Sequence, residues 1–225
     1  MLDRLHKKTY DVFIQPFLKL YLKKARSFTY HGINLKIYPG VFHPAYFFSS
    51  TFFAEFIQNL DLNNKKVCEV GAGSGLLSFI ALKKGAAVCS FDISSTAVNG
   101  IKENLKYNFP EAKNFEVYLS DLFDSVPENK FDLLFINPPY FFNDPQNEGA
   151  FAWYCGKNGE YFEKLFAQLG KYSLPSSQIF MSLADNCDLE RINAIAKKHN
   201  YLLNLVTEKK IKWEKNFIFK VIKDT

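Results

Sequence analysis

From residue 65 onward the chain alternates short apolar runs with stretches of helical spacing, and this alternation constrains its fold more than any other feature. The runs typical of strands are KKVCEV, AAVCSFDI, NFEVYLSDL, FDLLFI and SQIFMSL. The helical patterns between and after them are LLSFIALKKG, SSTAVNGIKENLKYN, EYFEKLFAQLGKYS and DLERINAIAKKHN. Strands that alternate with helices form mostly parallel sheets covered on both faces. The pattern therefore predicts a doubly wound α/β fold.

Both ends of the chain add elements to this frame. YLLNLVTEKK and EKNFIFKVIK resemble two long antiparallel strands, which makes a seven-stranded sheet with an antiparallel C-terminal strand. Residues 1–27 show helical spacing, and SFTYHGINLKIYPG predicts a hairpin around His31-Gly32. FFAEFIQNL predicts a further helix. We predict an N-terminal helical and hairpin extension over residues 1–40 and one domain over residues 41–225.

Composition excludes some classes of protein and leaves one question open. No apolar run approaches the ~20 residues of a membrane span, and the charged N-terminus shows no secretory signal. The four cysteines and four histidines are scattered without metal-site spacing, so we expect reduced thiols, no metal and a cytoplasmic location. The net charge is +5, with basic ends and an acidic centre. Basic ends fit either a polyanionic partner such as RNA or ordinary solvated surface.

A glycine-rich turn follows the first predicted strand of the alternating region. That strand ends in Glu69-Val70, and Gly71, Gly73 and Gly75 follow at a spacing of two. The dinucleotide fingerprint would place its third glycine one residue later, where Leu76 stands. Glycines allow a ligand to approach the backbone closely, and a preceding acid suits a ligand with a cationic part. A purely structural turn is the alternative interpretation.

Carboxylates follow the next two predicted strands. Asp92 comes 21 positions after Gly71, where it can accept hydrogen bonds from both hydroxyls of a ribose. Asp121 is followed by Leu122 and Phe123, which together suit an adenine pocket. Either acid taken alone would more simply be a helix cap or a loop acid. Three such features at successive strand ends favour one binding site beyond the sheet.

These stretches resemble the class I S-adenosylmethionine-dependent methyltransferases over roughly residues 40–225. EVGAGSG looks like their first motif, FDIS like their ribose-binding acid and SDLF like their adenine-side acid. The resemblance implies a Rossmann-like fold with S-adenosyl-L-methionine as the cofactor. It also implies that the three glycines pass the methionine part of the cofactor and that Ile93 and Leu122 enclose the adenine.

The fourth predicted strand ends in Asn137-Pro138-Pro139-Tyr140, which as a turn alone would need no function. An amide or aromatic amine nitrogen is a poor nucleophile because its lone pair is delocalised. The Asn137 side-chain oxygen and the Pro138 carbonyl can accept hydrogen bonds from the two N–H groups of such a nitrogen and hold the nitrogen in place. Tyr140 offers a face for stacking. Asn137, Pro138 and Tyr140 are therefore the predicted catalytic residues, and Asn137 is also expected to border the cofactor.

The NPPY tetrapeptide is similar to that of methyltransferases that act on planar nitrogen. AWYCGKNGEYF (152–162) and VFHPAYFFSST (41–51) resemble segments of the HemK-type protein-glutamine N5-methyltransferases, the second being the segment that covers the cofactor. The resemblance implies N-methylation of a protein glutamine in the translation machinery, such as in a translation factor. The alternatives are methylation of an RNA or DNA base amine (adenine N6 or guanine N2) and a non-catalytic cofactor-binding subunit.

Overall fold

The computed structural model describes residues 22–46 and 48–224. The strands are β1 (Arg26–Tyr30), β2 (Ile33–Ile37), β3 (Lys66–Val70), β4 (Ala87–Asp92), β5 (Phe115–Leu119), β6 (Phe131–Ile136), β7 (Ser173–Ala184), β8 (Tyr201–Ile211) and β9 (Glu214–Lys223). The α-helices are α1 (Phe48–Gln58), α2 (Leu76–Lys83), α3 (Ser95–Asn108), α4 (Glu160–Tyr172) and α5 (Leu189–Lys198), and a 3-10 helix spans Glu148–Ala152.

A seven-stranded sheet with the order β5-β4-β3-β6-β7-β9-β8 forms the centre of the molecule. The first five strands in this order pair in parallel, whereas β9 runs antiparallel to both of its neighbours, β7 and β8. The predicted fold is confirmed, including the antiparallel C-terminal strand. The order reverses direction at β3 and β6, and in open α/β sheets ligands bind beyond the carboxyl ends of strands at such a point.

Helices cover both faces of the sheet, as expected for buried parallel strands. On one face α1, α2 and α3 contribute to a buried cluster that includes Phe53, Phe79 and Ile101. On the other face α4 and α5 contribute to a cluster that includes Phe166 and Ile192. Burial of each such side chain stabilises the fold by roughly 1.5–3 kcal/mol before packing terms. The two layers fix the ends of the strands, where the predicted site residues lie.

The predicted hairpin is confirmed as β1 and β2, joined at His31 and Gly32. Strand β2 buries Ile33, Leu35 and Ile37 in the same cluster as α1 and α2. The domain boundary after residue 40 stays a prediction, although this packing joins the hairpin to the core of the residues that follow.

The predicted N-terminal helix falls mainly on residues 1–21, which lie outside the described residues. Its predicted end at residue 27 is wrong, because β1 begins at Arg26 and pairs there with Ile37. Strand β7 also begins earlier than predicted. It starts at Ser173, directly after α4, and a register shift separates the Phe131–Ser173 pair from the regular pairing with β6.

Candidate functional site

A cavity of about 470 Å³ opens at the carboxyl ends of the central strands. Most of the predicted site residues line it: Glu69, Gly71, Gly73, Asp92, Ile93, Asp121, Leu122, Asn137, Pro138 and Tyr140. Gly75 is the exception: it is the N-cap of α2 and does not line the cavity. The strand ends therefore meet around one space, as the sequence predicted.

The glycine turn between β3 and α2 requires its glycines for two different reasons. Gly73 has φ 51° and Gly75 has φ 75°, a left-handed conformation that costs other residues energy. A Cβ on Gly75 would also lie 3.0 Å from Phe79 Cε2 and 3.1 Å from Ile101 Cγ1. A Cβ on Gly73 would meet only Val41 Cγ1, at 4.0 Å. Gly75 thus allows α2 to pack, whereas Gly73 leaves the backbone open toward the cavity.

Asp92 ties this turn to the end of β4. Its Oδ2 accepts a hydrogen bond from Gly73 N at 2.8 Å, and its Oδ1 accepts one from Ser94 N at 2.8 Å. Burial raises the pKa of Asp92, while these two backbone donors act in the opposite direction. Each carboxylate oxygen can accept a second hydrogen bond. The arrangement therefore fits a ribose, whose two hydroxyls would find acceptors already fixed in place.

Glu69 has a structural role in addition to its place in the lining. It is buried, and its Oε2 accepts a hydrogen bond from Ser78 N in the first turn of α2 at 2.7 Å. Burial raises the pKa of Glu69 to about 8, so the carboxyl is mostly protonated at neutral pH when no ligand is bound. A ligand cation beside it would favour the charged form. This remains compatible with the predicted role next to a cationic group.

Asp121 is engaged in an ion pair at the mouth of the cavity. Lys164 Nζ lies 2.5 Å from Asp121 Oδ2 and 2.6 Å from Asp124 Oδ2. The next residue, Leu122, has φ 51° and is buried, which turns its side chain into the core beside the cavity. Ile93 is 38% exposed in the lining. Apolar surface and a held carboxylate thus occur together where adenine was predicted.

Asn137 is the first residue after β6, and its side-chain amide has a defined environment. Nδ2 donates a hydrogen bond to Ser50 Oγ of α1 at 3.2 Å. Oδ1 accepts no hydrogen bond from the described residues, so it is available to a ligand in the cavity. Pro138 is buried, and burial raises the pKa of Tyr140, which keeps its hydroxyl neutral. The strand end therefore presents one amide oxygen on a rigid turn.

The two segments singled out at residues 41–51 and 152–162 both border the cavity. Phe42 and Trp153 place their ring centroids 5.0 Å apart, so the segments meet across its rim. Phe141 N donates to Trp153 O at 3.1 Å, and Cys155 N donates to Phe141 O at 3.0 Å. The residues after NPPY are therefore held to the rim by backbone hydrogen bonds.

Ser50, Tyr161 and Lys164 are among the lining residues that were not predicted as site residues. Tyr161 and Lys164 stand three positions apart in α4, so helical spacing places them on one face. That spacing is the signal that could have identified them. Ser50 gave no comparable signal, because its contact with Asn137 joins positions 87 residues apart.

The described residues contain no group of three or more His, Cys, Asp or Glu side chains placed to hold a metal ion. Within the same residues, no helix combines the length and apolar character needed to cross a membrane.

A family model described as "Methyltransferase small domain" matches residues 32–153. A protein from Methanocaldococcus jannaschii, provisionally named as a protein N5-glutamine methyltransferase, is 38% identical over 63% of this chain and 71% of its own length. A ribosomal protein L11 methyltransferase from Prochlorococcus marinus is 32% identical over 46% of this chain and 36% of its own length.

A solved structure shares the fold at low sequence identity. It is a 16S rRNA N2-guanine methyltransferase from T. thermophilus, in complex with AdoMet and guanosine. It superposes with a TM-score of 0.58 at 18% identity, over 88% of this chain and 50% of the other.

Proposed function

The chain belongs to the small methyltransferase domain family and is an S-adenosylmethionine-dependent methyltransferase, and from this premise we propose that it methylates the side-chain amide nitrogen of a glutamine in a protein. The observation that carries the proposal is the Asn137 amide, whose nitrogen is turned to Ser50 and whose oxygen is available to a ligand. The relative from M. jannaschii, named for the same reaction, supports it.

The residues lining the cavity fit the cofactor. Asp92 would accept the ribose hydroxyls, Leu122 and Ile93 would contact the adenine, and the backbone at Gly71 and Gly73 would lie against the methionine part. When bound, S-adenosylmethionine supplies a methyl group on a positively charged sulfur. Glu69 lies in the same lining and would become charged beside a cation.

The acceptor nitrogen would be held by Asn137 and Pro138. Asn137 Oδ1 and the Pro138 carbonyl oxygen would accept its two N–H groups, which directs its lone pair away from these acceptors and toward the methyl donor. Such acceptors would stabilise the positive charge that develops on nitrogen as its bond to the methyl carbon forms and the carbon–sulfur bond of the cofactor breaks. One N–H proton would then pass to water. No general base is needed, because the nitrogen becomes strongly acidic once it is positively charged.

The charge around the cavity favours a protein acceptor over a nucleic acid. Among the described residues, the lining holds six acidic side chains and Lys164 as its basic one; the acids are Glu69, Asp92, Asp121, Asp144, Glu148 and Glu160. Lys164 is itself paired with Asp121 and Asp124. A phosphate backbone laid across this opening would meet mainly like charge, whereas nucleic-acid sites are basic.

The experiment offers the enzyme methyl-labelled cofactor together with separated protein and RNA fractions from cells. We expect label in protein. Strong acid hydrolysis of an N5-methylated glutamine breaks the amide and releases the label as methylamine, whereas a methylated lysine or arginine does not release it this way.

A variant with Asn137→Ala serves as the matched control, since the same fractions should then stay unlabelled. Label in RNA would replace the proposal with base-amine methylation. Label in protein that survives acid hydrolysis on the amino acid would place the methyl group on another nitrogen.

A further inference from the structure

Two segments from distant parts of the chain meet at the cavity, and neither belongs to the central sheet. Residues 40–42 connect β2 to α1, and residues 148–153 lie in the long connection between β6 and α4. Both segments contribute to the lining, and the rings of Phe42 and Trp153 join them with centroids 5.0 Å apart. We call residues 40–42 and 148–153 together the arch.

The two backbones of the arch touch each other directly at a pair of glycines. A Cβ built on Gly149 would lie 3.4 Å from Gly40 Cα, and a Cβ built on Gly40 would lie 3.6 Å from Gly149 Cα. These are ordinary van der Waals distances for an added carbon, so no side chain separates the two backbones. The segments therefore close on each other without a gap at this point.

Each segment of the arch also contacts a loop that Asp92 holds in place. Val41 Cγ1 lies 4.0 Å from where a Cβ on Gly73 would stand, and Ser94 Oγ donates a hydrogen bond to Glu148 Oε1 at 2.7 Å. Gly73 and Ser94 are the two residues whose backbone N–H groups donate to the Asp92 carboxylate. The arch thus reaches the cavity wall on both sides of the proposed ribose acceptor.

The contact between Glu148 and Ser94 has the properties of a latch. Ser94 is the N-cap of α3, and a carboxylate is favoured at a helix N-terminus. Both partners are exposed, so the hydrogen bond competes with water and can break without loss of the core. One side of the arch is therefore held by a contact that opens more easily than the packing beneath it.

We propose that the arch controls exchange of the cofactor: S-adenosylmethionine and its product S-adenosylhomocysteine enter and leave when Gly40 and Gly149 separate, and the bond between Glu148 and Ser94 keeps the arch closed. This control of exchange does not depend on which acceptor the enzyme methylates. The acceptor would approach from the side of Asn137 while the arch stays closed.

A reversible cross-link tests the opening. The double variant Gly40→Cys with Gly149→Cys places two thiols at the contact, where the close approach of the backbones suits the Cβ separation of a disulfide, about 3.5–4.5 Å. The protein is loaded with labelled S-adenosylhomocysteine, oxidised with diamide and diluted into unlabelled ligand. Release of the label should be almost completely lost, and dithiothreitol should restore it.

The wild type, taken through the same oxidation, controls for the four native cysteines, which are free thiols. Equal release from the cross-linked and the reduced double variant would overturn the proposal, because the ligand would then leave past a closed arch.

Glu148→Ala tests the latch without an engineered cysteine, which matters because Gly40 has φ 84° and strains any other residue. Stopped-flow fluorescence of the two tryptophans follows S-adenosylhomocysteine binding. Association and dissociation should both become roughly three- to tenfold faster, as expected for one lost hydrogen bond to a charged group, with affinity changed less than either rate. Glu111→Ala, an exposed acid that does not line the cavity, should keep both rates.

The association rate separates a latch from a ligand contact. If Glu148 only touched the ligand, Glu148→Ala would speed dissociation and leave association at the wild-type rate. That result, or two unchanged rates, would overturn the proposal.

Discussion

The orientation of a single amide is the residue-scale feature on which the proposed chemistry depends. An asparagine side chain has a donor end and an acceptor end, and only the acceptor end can hold the N–H groups of a substrate amide. In this chain Ser50 takes the donor end of Asn137, at 3.2 Å. The oxygen is thereby left for the acceptor nitrogen, and the φ angles of the two prolines that follow are fixed by their rings.

Asn137→Ala tests this role directly. The variant should bind S-adenosylmethionine within about twofold of the wild type, because the proposed partner of Oδ1 is the substrate. Turnover should fall by roughly 10²–10³, the usual loss for one preorganised polar group in an active site. Calorimetry for the cofactor and single-turnover kinetics for methyl transfer provide the two measurements. Wild-type turnover would mean that NPPY is only a strand end, and loss of cofactor binding would make Asn137 structural.

Asp92→Ala is expected to act on the cofactor instead. It removes the proposed ribose acceptor and also leaves Gly73 N and Ser94 N without the carboxylate they donate to. Affinity for S-adenosylhomocysteine should fall by about 1–3 kcal/mol, roughly 5- to 150-fold. Asp92→Asn retains one acceptor oxygen, so its affinity for S-adenosylhomocysteine should lie between those of the wild type and Asp92→Ala. Calorimetric affinity equal to the wild type in a folded Asp92→Ala protein would contradict the ribose assignment.

At the scale of elements, local patterns predicted what depends on local physics. FDLLFI became β6 with no change of bounds, because a buried strand between polar turns has few alternatives. The early start of β7 was missed, since Leu174, Pro175 and Ser176 carry no strand pattern and the strand begins there through its connection with α4. The Ser50–Asn137 contact was missed for a different reason. It forms only when α1 packs over the sheet, and no local pattern encodes that.

The edge strand β8 offers a test at this scale, because one ion pair connects it to α1. Lys209 Nζ lies 2.6 Å from Glu55 Oε2, with 48% and 55% of the two side chains exposed. Lys209→Glu should therefore destabilise the protein by less than about 1 kcal/mol, since exposed ion pairs contribute little. The double variant Glu55→Lys with Lys209→Glu should recover that loss in thermal unfolding.

The single variant Lys209→Glu also distinguishes a protein acceptor from an RNA acceptor. Methyl transfer to a protein acceptor should stay within twofold of the wild type, because Lys209 does not line the cavity. A basic surface that binds RNA would respond otherwise: transfer would weaken, and its dependence on salt would flatten.

At the scale of the whole molecule, the carboxyl of Glu69 links the cavity to global stability. Burial raises its pKa from the ordinary 4.5 to about 8, so the folded state holds this proton more tightly than the unfolded state. The stability that this proton gives the folded state is fully present below pH 4.5, the pKa of an ordinary glutamate, and is lost as the pH rises through about 8. Glu69→Gln keeps an oxygen for Ser78 N and carries no titratable proton. The melting temperature of the wild type should therefore fall relative to that of Glu69→Gln between about pH 5 and pH 8.

The measurement is a series of ligand-free melting curves over that pH range. The relevant quantity is the difference in melting temperature between the wild type and Glu69→Gln, because both proteins share all other titrating groups. Glu111→Gln, at an exposed site, serves as the control and should not change with pH in the same way. If the wild-type and Glu69→Gln curves run parallel, Glu69 ionises in its usual range. The carboxylate would then be charged before the cofactor binds, and the site would present a ready anion to the cationic part of the ligand.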